Sequence, residues 1–147
     1  MAIGIATIAN AIAALSVTGL SIKDIDEIPP QADQSISTLI PLPDYMTDFE
    51  VEIDSFGGGS TAKMTVWYTL GYRLLYKPVG AGLDLEYYDN MIALVAAFLD
   101  AVLVIETISG CEGIMPVGVV NMGVVNDPAD HEYIGCDIFL RVQEFVN

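Results

Sequence analysis

The sequence predicts an α+β fold: a mainly antiparallel β-sheet with a long hairpin, packed on one face by two α-helices. Three observations lead there. Two stretches, one at the start and one past the middle, place apolar residues at the three- and four-residue spacing of a helix. Several other runs alternate apolar and polar residues, as half-buried strands do. These runs cluster instead of alternating one for one with helices, which argues against a doubly wound parallel sheet. The 147 residues fit one domain spanning 1–147. A chain of that length buries roughly two thirds of its surface on folding. Hydrophobic residues make up 53% and charged residues 17%, which excludes an intrinsically disordered chain.

The elements follow in order. Ile5, Ile8, Ile12 and Leu15 form one helical stripe among alanines, and Gly19 ends it. This helix has no charged residue, so even its outer face is expected to be covered, by a neighbouring subunit or under a loop. Residues 20–28 read as a short strand closed by Pro29 and Pro30, and 31–35 as a polar loop. Residues 36–42 read as a second strand, whose Pro41 and Pro43 confine its end to a sheet edge. In 49–56, Phe49, Val51 and Ile53 point one way and Glu50, Glu52 and Asp54 the other. Residues 57–60, Gly-Gly-Gly-Ser, supply a hairpin turn.

The strongest strand is 63–76. Met64, Val66, Tyr68, Leu70, Tyr72, Leu74 and Tyr76 line one face, which is expected to be buried. Trp67 and Leu75 on the other imply that this second face is not fully wet. Residues 77–82 break the pattern. A second helix over 85–105 places Tyr88, Met91, Ile92, Val95, Phe98, Leu99, Val102 and Leu103 at helical spacing, with Asp84 as its N-cap. Residues 116–126 read as a strand without a clear register, and 126–130 as a turn. The last strand, 133–146, points Ile134, Cys136, Ile138, Leu140 and Val142 one way and Asp137, Arg141 and Gln143 the other.

Charge narrows the function classes. Twenty acids face five Lys and Arg, for a net charge of −15. The bases Lys23, Lys63, Arg73, Lys77 and Arg141 are scattered. Without a basic stripe the chain is not expected to wrap nucleic acid through its phosphates, and an acidic surface repels DNA and anionic membranes. Residues 2–15 are apolar but lack the basic start of a signal peptide. Residues 91–105 are too short for a membrane span of about 20 residues. Both read as buried helices of a soluble chain.

No constellation carries chemistry by its spacing. Cys111 and Cys136 show no metal-ligand pattern and read as two free buried thiols. His131 is the single histidine, so any Ser-His-Asp or Cys-His arrangement must use it. It sits in a polar turn, no GxSxG is present, and it reads as solvated. Asp127, Asp130, His131 and Glu132 offer oxygens to a hard cation, yet their spacing matches no EF-hand and Pro128 constrains the loop. Glu50, Glu52 and Asp54 are the residue type of a glycosidase pair, but as neighbours on one strand face they read as solvated. The glycine-rich 57–60 lacks the Lys-Ser/Thr ending of a phosphate loop. Trp67, Tyr72 and Tyr76 are not surrounded by bases, as a base-stacking platform would be, and read as packing residues. The expectation is therefore a chain that is not an enzyme, with no catalytic, cofactor-binding or metal-ligating residue.

Three segments carry a resemblance: Ile40-Pro41-Leu42-Pro43-Asp44; the hairpin 49–76 with its Ser55-Phe56-Gly57 turn; and Tyr68-Thr69-Leu70-Gly71-Tyr72-Arg73-Leu74-Leu75-Tyr76. In these, and in the order of elements over nearly the whole chain, the sequence resembles the tail terminator and tail completion proteins of long-tailed bacteriophages and related tail-like particles. The resemblance implies a structural virion protein with no catalytic residue, assembled in the bacterial host cytoplasm. It implies a homo-hexameric ring at the head-proximal end of the tail tube, which ends tube polymerisation and joins tail to head. The implied partners are the tail tube protein and the head–tail connector proteins, with no membrane. DNA passes the lumen non-specifically, past wall carboxylates that repel its phosphates. Six copies would carry a formal −90, six times −15. The alternatives are another neck or tail component (a head-completion or tube protein), a small-molecule-binding module on the aromatic strand 67–76, and a metal-dependent hydrolase at 127–132.

Overall fold

A computed structural model describes residues 4–24, 37–53, 63–79, 85–105 and 111–146. Among these residues the elements are α1 (Ile5–Ala13), β1 (Leu20–Ile22), β2 (Ser37–Ile53), β3 (Met64–Pro78), α2 (Leu85–Leu103), β4 (Cys111–Asn126) and β5 (Glu132–Val146). The strands form one sheet in the order β1-β2-β3-β5-β4. Only β1 and β2 run parallel; the other neighbours are antiparallel. The class is α+β, as the clustering of strand signals implies. The polar loop at 31–35, Pro29, Pro30, the turn at 57–60 and the cap at Asp84 lie outside the described residues.

The core grows from the two central strands. Val66, Tyr68, Leu70, Tyr72 and Leu74 of β3 alternate onto one face and are buried, as are Ile134, Cys136, Ile138, Leu140 and Val142 of β5. The two sets stand opposite each other, with Tyr68 against Val142, Leu70 against Leu140 and Tyr72 against Ile138. Such cross-strand pairs are the unit of sheet stability. Ile8 and Ile12 of α1, and Met91, Val95, Phe98 and Val102 of α2, join the same cluster. Both helices therefore cover one face, as expected, and each fully buried aliphatic or Phe side chain contributes about 1.5–3 kcal/mol.

Several boundaries differ from the sequence reading, each for a local reason. α1 stops at Ala13, short of Gly19, which takes a left-handed φ of 82° in the turn before β1. Its start is closed by a distant residue: the Gly4 amide donates to Glu144 Oε1 at 2.8 Å, and the Tyr68 hydroxyl donates to Oε2 at 2.7 Å. A carboxylate there complements the positive end of the helix. The outer face of α1 is not covered within the described chain, since Ala6, Thr7 and Asn10 are exposed.

The two strands read at 36–42 and 49–56 are one strand, β2. Between them residues 42–45 stand opposite Gly71 alone, a bulge that the alternation pattern alone did not reveal. Gly71 permits it, because a Cβ there would lie 2.9 Å from Leu42 and 3.1 Å from Phe139. Pro41 and Pro43 fall beyond Leu39, the last β2 residue paired with β1, so they occupy an edge as expected. β3 continues through Lys77 and Pro78, where a break is expected, because Ile134 and Tyr133 of β5 pair with them. On α2, Met91, Val95, Phe98 and Val102 make the core contact. Ile92 and Leu103, which the helical pattern also selects, point outward.

Candidate functional site

The helix-free face of the sheet is built by every second residue of the central strands. β3 places Trp67, Thr69, Gly71, Arg73 and Leu75 there, and β5 places Gly135, Asp137, Phe139, Arg141 and Gln143. Among the described residues no helix covers this face. At one end Ile40, Leu75, Val125 and Tyr133 make a small second apolar cluster, which accounts for the apolar Leu75.

Two of the five bases lie on this face, each tied to carboxylates. Arg73 donates through Nε and Nη2 to the two carboxylate oxygens of Asp137, at 2.7 and 3.0 Å. Asn121 Nδ2 donates to Asp137 Oδ2 at 2.8 Å. Asp137 is buried, and its pairing raises the Arg73 guanidinium pKa above its ordinary value. Arg141 donates through Nη1 to the Asp48 carbonyl at 2.7 Å and to Thr69 Oγ1 at 3.0 Å, and through Nη2 to Glu50 Oε2 at 3.0 Å. A groove of about 490 Å³ is lined by Asp48, Phe49, Glu50, Thr69, Val117 and Arg141. Its lining comes from β2 and from β4, which two strands separate, so the face is concave.

The sheet leaves two long edges open. Past Leu39, no described strand pairs with the outer side of β2, nor does any pair with the outer side of β4. Both edges are apolar and wet. On β2, Met46, Val51 and Ile53 register with Leu70, Val66 and Met64 on the helix side, and Phe49 stacks on Tyr68 at 6.2 Å between ring centres. Phe49 is 45% exposed and Ile53 58%. On β4, Met115 and Val120 stand opposite Arg141 and Asp137 on the concave side, and Val117 lines the groove. Met115 is 54% exposed, and Val117, Val120, Met122 and Val124 are exposed to a similar degree. A long, flat apolar edge would be an aggregation hazard for a lone domain.

The turn at 127–131 is folded on itself. Asp127 is buried, and its Oδ1 accepts from the Ala129 and His131 amides at 3.0 and 2.8 Å. Asn126 Nδ2 donates to Asp130 Oδ1 at 2.8 Å. These bonds occupy the carboxylates in turn geometry. The His131 ring sits 3.3 Å from Asp127 Oδ2 with its side chain 55% exposed. No group of three His, Cys, Asp or Glu among the described residues could hold a metal ion. Glu50 and Glu52 lie on the concave side opposite Trp67 and Thr65, while Asp54 lies outside the described residues. Trp67 and Tyr72 do not form a platform, because they occupy opposite faces; Tyr72 is buried against Tyr45 and Phe98. Cys136 is a free, buried thiol whose pKa is pushed up to about 12 by burial and by neighbouring Asp137. A thiol so raised is a poor nucleophile at neutral pH.

No protein-family model matches the chain, and no curated protein matches it. No helix among the described residues is long and apolar enough to cross a membrane. The residues that sequence reasoning missed are the bulge residues Asp48 and Asn121 and the apolar stripe of β4. The stripe is written in Met115, Val117 and Val120, but bulges at both Pro116 and Val120 break its period of two.

Proposed function

We propose that this protein is a structural subunit that assembles head to tail into a closed ring, and that the ring is the tail terminator of a long-tailed bacteriophage or related tail-like particle. One observation carries the ring: two open apolar edges whose stripes lie on opposite sides of the sheet. Met46, Val51 and Ile53 are on the helix side of one edge, and Met115, Val117 and Val120 on the concave side of the other. A two-fold contact would pair each stripe with itself. A head-to-tail contact lets the β2 edge of one copy lap over the β4 edge of the next, stripe on stripe, and such a contact closes into a ring where its repeated rotation completes a full turn. The identity of the ring rests on the sequence resemblance, which supplies six copies, the tail tube and head connector as neighbours, and DNA in the lumen. In this reading the concave face with Glu50 and Glu52 lines the hole, and the helices face outward.

Complementary edge variants test the arrangement. Val51→Asp blocks one edge and Val117→Asp the other; each should fold with a stability change within about 0.5 kcal/mol, as exposed sites do. Each alone should stay monomeric. Mixed in equal amounts, they should give one-to-one heterodimers and nothing larger, because only one good junction remains. Self-association of either variant alone to the wild-type extent would overturn the head-to-tail reading. Purified wild-type protein should also cap tail tubes at one end, and failure to bind tube ends would overturn the terminator identity while leaving the ring intact.

A further inference from the structure

Each outer strand carries a bulge at a non-glycine residue in the left-handed region, Asp48 on β2 at φ 51° and Asn121 on β4 at φ 56°. Bulges bend a strand and increase its twist. Both are tied to the same strand. Arg141 of β5 reaches over Thr69 of β3 to the carbonyl of Asp48 and to Glu50. Asp137, four residues earlier on the same face, accepts from Asn121 and also from Nε and Nη2 of Arg73. One residue of β5 thus reaches toward each edge. Among the described residues, Met46, Phe49, Val51 and Ile53 of β2 and Met115, Val117, Val120, Met122 and Val124 of β4 are exposed. Backbone ladders and a few apolar contacts (Tyr45 on β2, Ile114 and Val119 on β4) attach these strands to the β3–β5 core, and at the two bulges, where the ladder register breaks, the polar ties of Arg141 and Asp137 hold them.

We infer that Arg141 and Asp137 are positioning residues that set the angle between the two edges, and through it the size at which the assembly closes. The inference rests on the ring reading, since an edge angle becomes a copy number only when edges meet. The guanidinium fork of Arg141 suits this role, because it serves three acceptors on two strands at once, which a lysine ammonium cannot do in the same fixed geometry.

The test uses Arg141→Met, Arg141→Lys and Asn121→Gly. Methionine keeps much of the buried stem without the donors. Glycine accepts the left-handed backbone while deleting the Asn121 side chain. None opens the core, so circular dichroism and the melting temperature should stay close to wild type. Wild-type protein should show one ring size by native mass spectrometry and negative-stain microscopy. Arg141→Met and Asn121→Gly should give mixed ring sizes or open arcs, and Arg141→Lys a distribution as broad as Arg141→Met. Rings of unchanged size and uniformity in all three variants would overturn the inference. Amide exchange on dilute monomer separates it from the ring reading. Loss of charge-assisted hydrogen bonds should speed exchange about tenfold or more, confined to 46–53 for Arg141→Met and to 115–124 for Asn121→Gly. If wild-type protein forms no ring, the ring reading fails by itself, and unchanged exchange in both segments would then overturn the positioning role independently.

Discussion

The central pair of strands and the two outer strands obey different rules. β3 and β5 bury one face completely against two helices, and their residues there are apolar except for Glu144, which caps α1. The distal half of β2 and β4 are also rich in apolar side chains, yet nine of them, from Met46 to Ile53 and from Met115 to Val124, are exposed. Both regions have strand periodicity, so periodicity does not report burial. What differs is the layer above: helices cover the centre and reach β4 only around partly buried residues such as Ile114 and Val119, and among the described residues nothing covers the exposed stripes. The stability of the fold resides in the centre. The edges have a surplus of hydrophobic surface that a monomer does not use, and the proposed assembly is what uses it.

Substitutions at the centre should show the largest effects. Gly135→Ala would place a Cβ 1.8 Å from the Leu74 carbonyl oxygen and 2.8 Å from Val125, and backbone cannot yield that far. The variant should lose about 4 kcal/mol or more, read as insoluble or unfolded protein. Ile8→Asp buries a charge among the α1 contacts and should cost several kcal/mol. Wild-type stability there would remove α1 from the core. Phe98→Ala should cost about 3–5 kcal/mol in denaturant unfolding, since the ring is fully buried against Tyr72.

Alkaline titration should show a smaller loss. Cys136 is pushed from 9.0 up to about 12, and Tyr45 from 10.0 to about 12, by burial in both cases. The unfolded chain releases these protons at lower pH than the folded one. Their contribution is therefore full below pH 9 and is lost as pH rises from about 9 to about 12. Cys136→Ala should flatten the first part of that fall in a stability-versus-pH curve; an unchanged slope would show that burial does not hold the thiol neutral. The smallest effect on stability belongs to the edges. Val124→Thr should shift unfolding by no more than about 0.5 kcal/mol. If it instead destabilises like Phe98→Ala, the edge is part of the core and the contrast drawn above collapses.

The legible part of the fold was the part governed by simple periods. The stripes of β3, β5 and α1 follow spacings of two or of three and four, and the structure buries them accordingly. The sequence suggests two strands in place of β2 because Pro41 and Pro43 close the pattern of 36–42 and alternation resumes only at Phe49; residues 42–45 form a bulge opposite Gly71, a contact between distant residues that no local pattern encodes. The outward Ile92 and Leu103 of α2 fit the helical pattern as well as Met91 does, so only the third dimension separates them. The turn expected at 126–130 is present, between the end of β4 at Asn126 and the start of β5 at Glu132. The ties from Arg73 and Arg141 were invisible, because their partners lie 64 residues from Arg73 and 93 and 91 residues from Arg141 in sequence. The open edges could not be read because a run of apolar residues looks the same whether its cover belongs to this chain or to the next copy.

The most direct test of the central claim is negative-stain microscopy of purified wild-type protein over a series of concentrations and Mg²⁺ levels, the cation serving to screen a charge of −15 per copy. Closed rings of a single diameter with a central hole are the expected result. Compact monomers or two-fold dimers under every condition would contradict it.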